Sequence, residues 1–313
     1  MSETFFAPGK LLLFGEHAAV FGYPAVGIAL PLGLSLTASR ASEFSILLAT
    51  PPTEHHKTDA EGLRAFAAHL RSTYPAVEPA HFSVDSDLPI SSGFGSSAAL
   101  CTALARWAEP NARSAHIWER AHALERFFHG TPSGIDTGLA TYGGVQAFHF
   151  DQPHVLPRTE SLPANYPPLV VGSIPRTRST RELVAMVRKR RESAPTATTA
   201  VLERLGTLSE RAIQVLAGTA SDATPSDRKL GALEQQAQVY LDELGVATPA
   251  LNTILSHGIR AGARGGKLSG AGGGGAFYLV CATEEEATAV AEAIRPVCPP
   301  GSTVFIAEPG ATG

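Results

Sequence analysis

The sequence has little charge and few of the residues that build disulfides or bind polyanions. Only 17% of its 313 residues are charged, below the roughly 25% usual for soluble domains. The 29 acidic residues outnumber the 25 basic ones, and this net charge of −4 argues against a strongly basic nucleic-acid binder. The three cysteines form no CxxC pair, which argues against a disulfide framework or a structural zinc site.

No membrane span or leader segment is predicted. The stretch from Ala18 to Ser39 has no charged residue and is long enough to span a bilayer, but prolines and glycines interrupt it. It therefore predicts buried strands and turns. The first four residues carry no basic run ahead of an apolar one, so no secretory signal is expected. With 44% apolar residues the chain can form a sizeable core, and we expect a soluble, cytoplasmic protein.

Strand-like and helix-like patterns mix along the chain without regular β–α alternation, which predicts an α+β fold. Strands are predicted at 26–38, 44–49, 81–84, 145–150, 169–174, 276–281 and 303–307. Helices are predicted at 61–72, 98–108, 114–128, 180–192, 197–217, 228–244, 249–260 and 284–295. Thr248 and Pro249 mark one helix start, as N-cap and first helical residue. The proline-rich stretch 151–168 predicts a boundary between a domain at 1–165 and another at 166–313.

Segment 91–97 is a candidate phosphate-binding loop, since it lies between a predicted strand and a predicted helix. Small residues let a backbone wrap closely around a phosphate, and a helix N-terminus adds free N–H groups and a positive dipole end. A serine that opens the helix can also ligate Mg²⁺. The alternative is an ordinary capped helix start, which Ser96 or Ser97 would satisfy equally well.

A second glycine-rich segment, 266–275, matches G-x-G-x-x-G at Gly270–Gly275. The dinucleotide fingerprint follows a strand and opens a helix, whereas this segment is predicted to follow a helix and open a strand. A flexible linker is the alternative, but apolar residues flank the run closely on both sides. We therefore favour a close approach of backbone to a ligand. No Walker-type G-x-x-x-x-G-K-[ST] motif occurs in the sequence.

Three ionisable positions are candidates for chemistry. Asp136 is the only acid of the glycine-containing segment 129–144, and is either a base or a turn former. Lys10, one of only five lysines, is either a solvated strand-end charge or a cation that faces phosphate or a reacting hydroxyl. Glu125 shares a helix face with two histidines; a transition-metal site there is less favoured than Glu125 alone as a ligand for Mg²⁺.

Taken in order, these segments resemble the motifs of the GHMP kinases. They read APGK and FGEHAAVFG within residues 7–22, GFGSSAA at 93–99, HGTPSGIDTGLATYGG at 129–144 and KLSGAGGGG at 267–275. The run Arg178-Ser179-Thr180 adds a substrate-contact motif of the members that phosphorylate mevalonate, which this sequence resembles most within the family. The similarity extends from residue 5 to about 280.

The resemblance implies a two-domain α+β fold, with a ribosomal S5-like, ATP-binding N-terminal domain and a ferredoxin-like C-terminal domain. It also implies transfer of phosphate from ATP to the 5-hydroxyl of mevalonate, with Asp136 as base and Lys10 as the cation that stabilises charge. Ser97 and Glu125 would hold Mg²⁺, and Glu16, His17 and Thr180 would contact mevalonate together with Lys10 and Asp136. The implied ATP-phosphate contacts are Ser91, Ser92, Gly93, Phe94, Gly95, Ser96, Ser97, Gly270, Ala271 and Gly272.

Some positions depart from the family pattern, notably Thr137, where mevalonate-phosphorylating members usually have Asn after the catalytic acid. Alternative substrates within the family are phosphomevalonate, a sugar and the 3-hydroxyl of mevalonate. A nucleotide-binding relative without catalysis and a decarboxylase relative are further alternatives. The resemblance also allows a homodimer, and it implies no nucleic-acid or membrane partner.

Overall fold

The structure is a computed structural model that describes residues 2–49, 57–89, 92–152, 155–163, 166–220 and 224–307, with backbone only for 57–60. The strands are Glu3–Phe14 (β1), Ala25–Arg40 (β2), Ser45–Leu48 (β3), Ala80–Ser86 (β4), Val145–His149 (β5), Arg158–Leu162 (β6), Leu169–Ile174 (β7), Gly265–Leu268 (β8), Gly275–Val280 (β9) and Thr303–Ala307 (β10). The helices are Lys57–Thr73 (α1), Ser96–Ala108 (α2), Ser114–His129 (α3), Ile135–Tyr142 (α4), Thr180–Ser193 (α5), Pro195–Leu216 (α6), Ser226–Glu243 (α7), Pro249–Arg260 (α8) and Glu284–Ile294 (α9).

The chain forms two compact units that interleave along the sequence. The first unit comprises Met1–Gly9, Leu32–Leu88 and Gly95–Thr141. The second comprises Lys10–Pro31, Pro89–Phe94 and Tyr142–Gly313. Both combine helices with strands, so the α+β expectation is confirmed. The domain boundary expected between residues 165 and 166 stays a prediction.

In the first unit, the C-terminal half of β2 is the central strand. It pairs antiparallel with β4, from Leu34 opposite Ser86 to Arg40 opposite Ala80, and β3 extends this sheet parallel to β4. The start of β1 lies on the other side of β2. Aromatic side chains fill the core between sheet and helices; the ring of Phe82 meets Trp107 of α2 edge-on at a centroid distance of 4.8 Å.

In the second unit, the N-terminal half of β2 pairs with β5, and β5 pairs with β6. A separate antiparallel sheet has the strand order β10-β7-β9-β8. Helices α7 and α8 pack on β8, and α9 packs on β7 and β10. Because helices cover this sheet, all six residues of both β7 and β9 are buried, which explains their continuous apolar runs.

The uncharged stretch 18–39 forms a short 3₁₀ turn at Ala19–Phe21 followed by β2, as predicted. Among the described helices, none has both the length and the apolar character needed to cross a bilayer. Thr248 caps α8 by accepting a hydrogen bond from the Leu251 N–H at 3.3 Å, with Pro249 as first helical residue. The three cysteines are free thiols.

Four elements were not predicted from the sequence, namely β1, β6, β8 and α4. Strand β6 is polar and lies within the proline-rich stretch 151–168, whose composition predicts no strand. Its five-residue pairing with β5 stabilises it. Strand β8 begins with two glycines, so the expectation that segment 266–275 follows a helix is wrong: it connects two antiparallel strands. Helix α4 lies inside the segment 129–144 and has only eight residues, too few for a clear helical period.

Candidate active site

The candidate phosphate loop is held by backbone contacts in the second unit. The carbonyl of Phe94 accepts a hydrogen bond from the Lys10 N–H at 2.9 Å, and the Ser92 hydroxyl donates to the Pro89 carbonyl at 2.5 Å. Gly93 has φ +94°, and a Cβ there would lie 2.6 Å from Nη2 of Arg176. The backbone conformation therefore favours glycine, whereas the flexible end of Arg176 could move to make room for a Cβ. Ser91, also expected in this loop, lies outside the described residues.

In the first unit, the loop sequence continues into the N-terminus of α2. Gly95 is the N-cap residue with φ +82°, no side chain caps the helix, and its first turn contains no acid. Ser96 and Ser97 are half-buried there. Since the first-turn N–H groups of a helix lack partners inside the helix, this N-terminus can receive phosphate oxygens.

Ser97 and Glu125, the expected Mg²⁺ ligands, lie on two helices that are in contact, α2 and α3. The Ser97 hydroxyl and Nε2 of His129 are 3.0 Å apart, and this contact joins the start of α2 to the end of α3, one turn after Glu125. Glu125 is only 2% exposed, and its charge helps raise the pKa of the Cys101 thiol, one turn along α2 from Ser97, an effect secondary to the burial of that thiol. A hydroxyl and a carboxylate are hard oxygen donors, so the residues present fit Mg²⁺.

The alternative metal site on α3 is not supported. Across the described residues, no group of three or more His, Cys, Asp and Glu side chains could hold a metal ion. Burial lowers the pKa of His122, which favours its neutral form, and its Nδ1 makes no hydrogen bond to any described residue. His122 is thus a buried helix-face residue of α3.

Asp136 lies in the first turn of α4 and is half-buried. The turn before it is fixed by the Gly134 carbonyl, which accepts hydrogen bonds from the Trp118 indole N–H at 2.9 Å and from the Thr137 hydroxyl at 3.3 Å. Thr137, the residue that departs from the family pattern, therefore helps hold the turn. The N-terminus of a helix stabilises a negative charge, so the site suits an ionised carboxylate.

Lys10 is buried inside β1, which excludes the alternative of a solvated strand-end charge. Glu16 and His17 follow the end of β1 and are buried as well. His17 has φ +58°, a conformation that few non-glycine residues adopt. Burial lowers the pKa of His17, and its Nε2 lies 3.0 Å from the Ala271 carbonyl, which only accepts. The proton is thus on Nε2, and Nδ1 is left as an acceptor.

The segment 269–275 is clamped and does not act as a flexible linker. The Ser269 hydroxyl accepts a hydrogen bond from the Leu12 N–H at 2.9 Å, and the Val246 carbonyl accepts one from the Gly273 N–H at 2.8 Å. At Gly272, φ is +82° and a Cβ would lie 2.2 Å from the Val246 carbonyl oxygen. Gly270, Ala271 and Gly272 thus belong to a loop whose position both flanking strands determine.

Thr180 is the first residue of α5, and its hydroxyl accepts a hydrogen bond from Nη1 of Arg176 at 2.8 Å. The same guanidinium lies against Gly93 and Gly275. Arg176 was not singled out from the sequence. Its position between two glycine loops and Thr180 depends on the antiparallel pairing of β7 with β9, which only the structure reveals.

The predicted site residues therefore fall into two groups. The second unit brings together those of β1, the first loop, the second glycine loop and α5, namely Lys10, Glu16, His17, Ser92, Gly93, Phe94, Thr180, Gly270, Ala271 and Gly272. The first unit carries those placed at helix ends, namely Gly95, Ser96, Ser97, Glu125 and Asp136.

Comparison with known proteins identifies the family. The family model described as GHMP kinases N terminal domain matches residues 62–144, and that described as GHMP kinases C terminal matches residues 223–299. A mevalonate kinase of Pyrococcus horikoshii is 31% identical over 309 residues, covering 91% of this chain and 90% of that protein.

Solved structures show the same fold. The structure of L. major mevalonate kinase in complex with R-mevalonate superposes with a TM-score of 0.84 at 22% identity, covering 99% of this chain and 97% of that one. Methanococcus jannaschii mevalonate kinase gives a TM-score of 0.77 at 22% identity, with 99% of both chains covered. On these matches, and with the motifs placed as described, the chain belongs to the GHMP kinase family.

Proposed function

We propose that this protein transfers the terminal phosphoryl group of ATP to the 5-hydroxyl of mevalonate, with Mg²⁺ as cofactor. The relatives named above are mevalonate kinases, and one of them was solved with R-mevalonate bound. The observation that carries the proposal is that every motif keeps its ionisable group in a defined setting. Lys10 is buried and Asp136 is at a helix N-terminus. Glu16 pairs with the ammonium of Lys267, and His17 is hydrogen-bonded to the Ala271 carbonyl.

The chain's own residues act mainly by positioning charge, which supplies most of the catalysis in phosphoryl transfer. The open N-terminus of α2 and the glycine loops bind phosphate oxygens through backbone N–H groups. Asp136 accepts the proton of the attacking hydroxyl, and the ammonium of Lys10 stabilises the developing negative charge. Nδ1 of neutral His17 and the hydroxyl of Thr180 orient the substrate as an acceptor and a donor.

Ser97 and Glu125 would hold Mg²⁺, which neutralises charge on the phosphates when it is bound. The two residues lie on neighbouring helices, α2 and α3. We further propose a cytoplasmic location. We also propose a homodimer, which the family resemblance allows.

The test is ADP release by the purified protein with Mg²⁺-ATP and, separately, mevalonate, phosphomevalonate, galactose and homoserine. We expect turnover with mevalonate and with none of the other three substrates. The ³¹P NMR signal of the product then distinguishes the two hydroxyls, because phosphate on the primary 5-carbon couples to two protons and phosphate on the tertiary 3-carbon couples to none. Turnover with only another substrate, a product without proton coupling, or ATP binding without ADP release would each contradict the proposal.

A further inference from the structure

The second unit contains a buried charge cluster that the proposed mechanism does not use. Lys267 of β8 is fully buried, Glu16 is 2% exposed, and Glu234 of α7 is fully buried. The ammonium of Lys267 forms an ion pair with Oε1 of Glu16 and donates to the Leu268 carbonyl at 2.8 Å. The Tyr166 hydroxyl donates to Oε1 of Glu234 at 2.9 Å. One cation and two carboxyl groups therefore share a water-excluded space.

The cluster joins the substrate-facing segment to the second glycine loop. Two hydrogen bonds link the same two stretches of chain as the ion pair between Glu16 and Lys267. The Leu12 N–H donates to the Ser269 hydroxyl, and Nε2 of His17 donates to the Ala271 carbonyl. Removal of the Lys267 charge thus acts directly on the position of Glu16 and His17.

Stability alone does not explain such a cluster. Apolar residues of similar volume generally replace a buried ion pair without loss of stability, because desolvation offsets the attraction between the charges. Oε2 of Glu16 is buried and makes no hydrogen bond of ordinary geometry to a described residue, although the backbone N–H groups of Glu16 and Gly270 face this carboxylate. An ionised carboxylate with one oxygen paired to Lys267 leaves the other as an acceptor for a hydroxyl of a bound substrate.

Glu234 lies on α7, which packs on the strand of Lys267, and the two side chains interact electrostatically. Burial raises the pKa of Glu234 to about 8, against opposing contributions from Tyr166, Lys267 and Tyr278. The groups that face this carboxyl are the hydroxyls of Tyr166 and Tyr278, the ammonium of Lys267 and the carboxylate of Glu16. At neutral pH, Glu234 is therefore mostly protonated. When it ionises, a second carboxylate competes for the same cation.

We propose, on the basis of the proposed function, that Lys267 and Glu234 are positioning residues for substrate binding. Lys267 keeps Glu16 ionised and fixed beside His17, so that Oε2 accepts a hydrogen bond from a substrate hydroxyl. Protonated Glu234 leaves the charge of Lys267 to Glu16.

The first experiment compares steady-state kinetics of the wild type with Lys267→Met. We expect kcat/KM for mevalonate to fall about 100-fold, because Glu16 without its cation takes up a proton in its buried site. The KM for ATP stays within about twofold. Lys189→Met on the exposed face of α5 is the matched control and behaves as wild type. An unchanged kcat/KM for mevalonate in a folded Lys267→Met protein overturns the proposal.

The second experiment uses Glu234→Gln and stays informative if Lys267→Met does not fold. In the wild type, kcat/KM for mevalonate decreases as the pH rises through about 8, since ionised Glu234 competes for Lys267. Glutamine does not ionise, so the decrease that follows ionisation of Glu234 near pH 8 is lost in this variant. Glu243→Gln, on the exposed face of the same helix, keeps the wild-type profile. The same alkaline decrease in wild type and Glu234→Gln overturns the proposal.

Wild-type turnover separates this inference from the function on which it rests. If the wild type does not phosphorylate mevalonate, the proposed function fails first. If the wild type is active and both variants match their controls, only the roles of Lys267 and Glu234 are refuted.

Discussion

Two helix N-termini in this chain have opposite chemistry. At α9, Thr283 accepts a hydrogen bond from the Glu286 N–H at 3.2 Å, and the Glu286 carboxylate accepts one from the Ala282 N–H at 3.0 Å. Three glutamates occupy its first turn. At α2, glycine is the N-cap, no side chain caps the helix and no acid lies in the first turn. The first end satisfies its own donors and dipole, whereas the second leaves both for a ligand.

We expect this difference to separate groups that stabilise the fold from groups that bind and react. Helix α4 shows a third arrangement, since its first turn holds a single acid, Asp136, behind a turn that Trp118 and Thr137 already fix. A polar residue at a helix N-terminus therefore does not indicate one particular role. Substitutions at the three ends are expected to affect different measurements.

The largest effect is expected at α4. Asp136→Asn removes both the base and its charge, so kcat decreases about 10³-fold. The dissociation constant for ATP, measured by isothermal titration calorimetry, stays close to the wild-type value. Near-wild-type turnover of this variant would refute the role of Asp136 as base.

A charge at the open end of α2 is expected to have the next largest effect. Ser96→Asp places a carboxylate where phosphate binds, and like-charge repulsion of roughly 3 kcal/mol raises the KM for ATP about 100-fold. Ser96→Asn has nearly the same shape without the charge, and its KM for ATP changes far less. Equal KM values for the two variants would mean that α2 does not face the ATP phosphates.

A smaller effect is expected from the proposed cation ligand on α3. Glu125→Gln weakens the oxygen donor set, so the Mg²⁺ concentration that gives half-maximal rate rises about 10-fold. Titration of the initial rate with Mg²⁺ at saturating substrates measures this shift. Glu119→Gln, on the exposed side of the same helix, serves as control. If the two titrations coincide, Glu125 is a structural residue.

The smallest effect on activity is expected at α9. Thr283→Ala removes the side-chain cap and lowers the free energy of unfolding by about 1 kcal/mol, as measured by urea denaturation. Its kcat and KM stay at wild-type values, since this end holds no ligand. A change in KM for ATP without a change in stability would mean that α9, like α2, affects ATP binding.

Local signals in the sequence predicted much of this fold. Thr248 and Pro249 marked the start of α8, because capping chemistry depends on neighbouring residues alone. The apolar stretch 18–39 was predicted as buried strand because the prolines and glycines that interrupt it exclude an unbroken helix. Strand β8 was missed because glycine disfavours strands, and its order comes from pairing with β9.

The site was predicted less completely than the fold. Motif spacing identified Asp136, Lys10 and the two glycine loops, but the burial of Lys10 within β1 depends on tertiary packing. Glu234 gave one weak signal, a charged residue on the apolar face of α7 beside Leu230, Leu233 and Ala237. Its proximity to Lys267 and Glu16 depends on which helix packs on β8, and no local pattern encodes that choice.

The ion pair between Glu16 and Lys267 also affects how the protein is made. The two residues are 251 positions apart, so at a ribosomal rate of 5–20 residues per second Glu16 is synthesised roughly 10 to 50 s before its partner. Throughout that interval the Glu16–His17 segment lacks the contacts that bury it. The surroundings of Glu16 and His17 are therefore completed only after β8 has been synthesised, and a nascent chain that stops before β8 cannot assemble them.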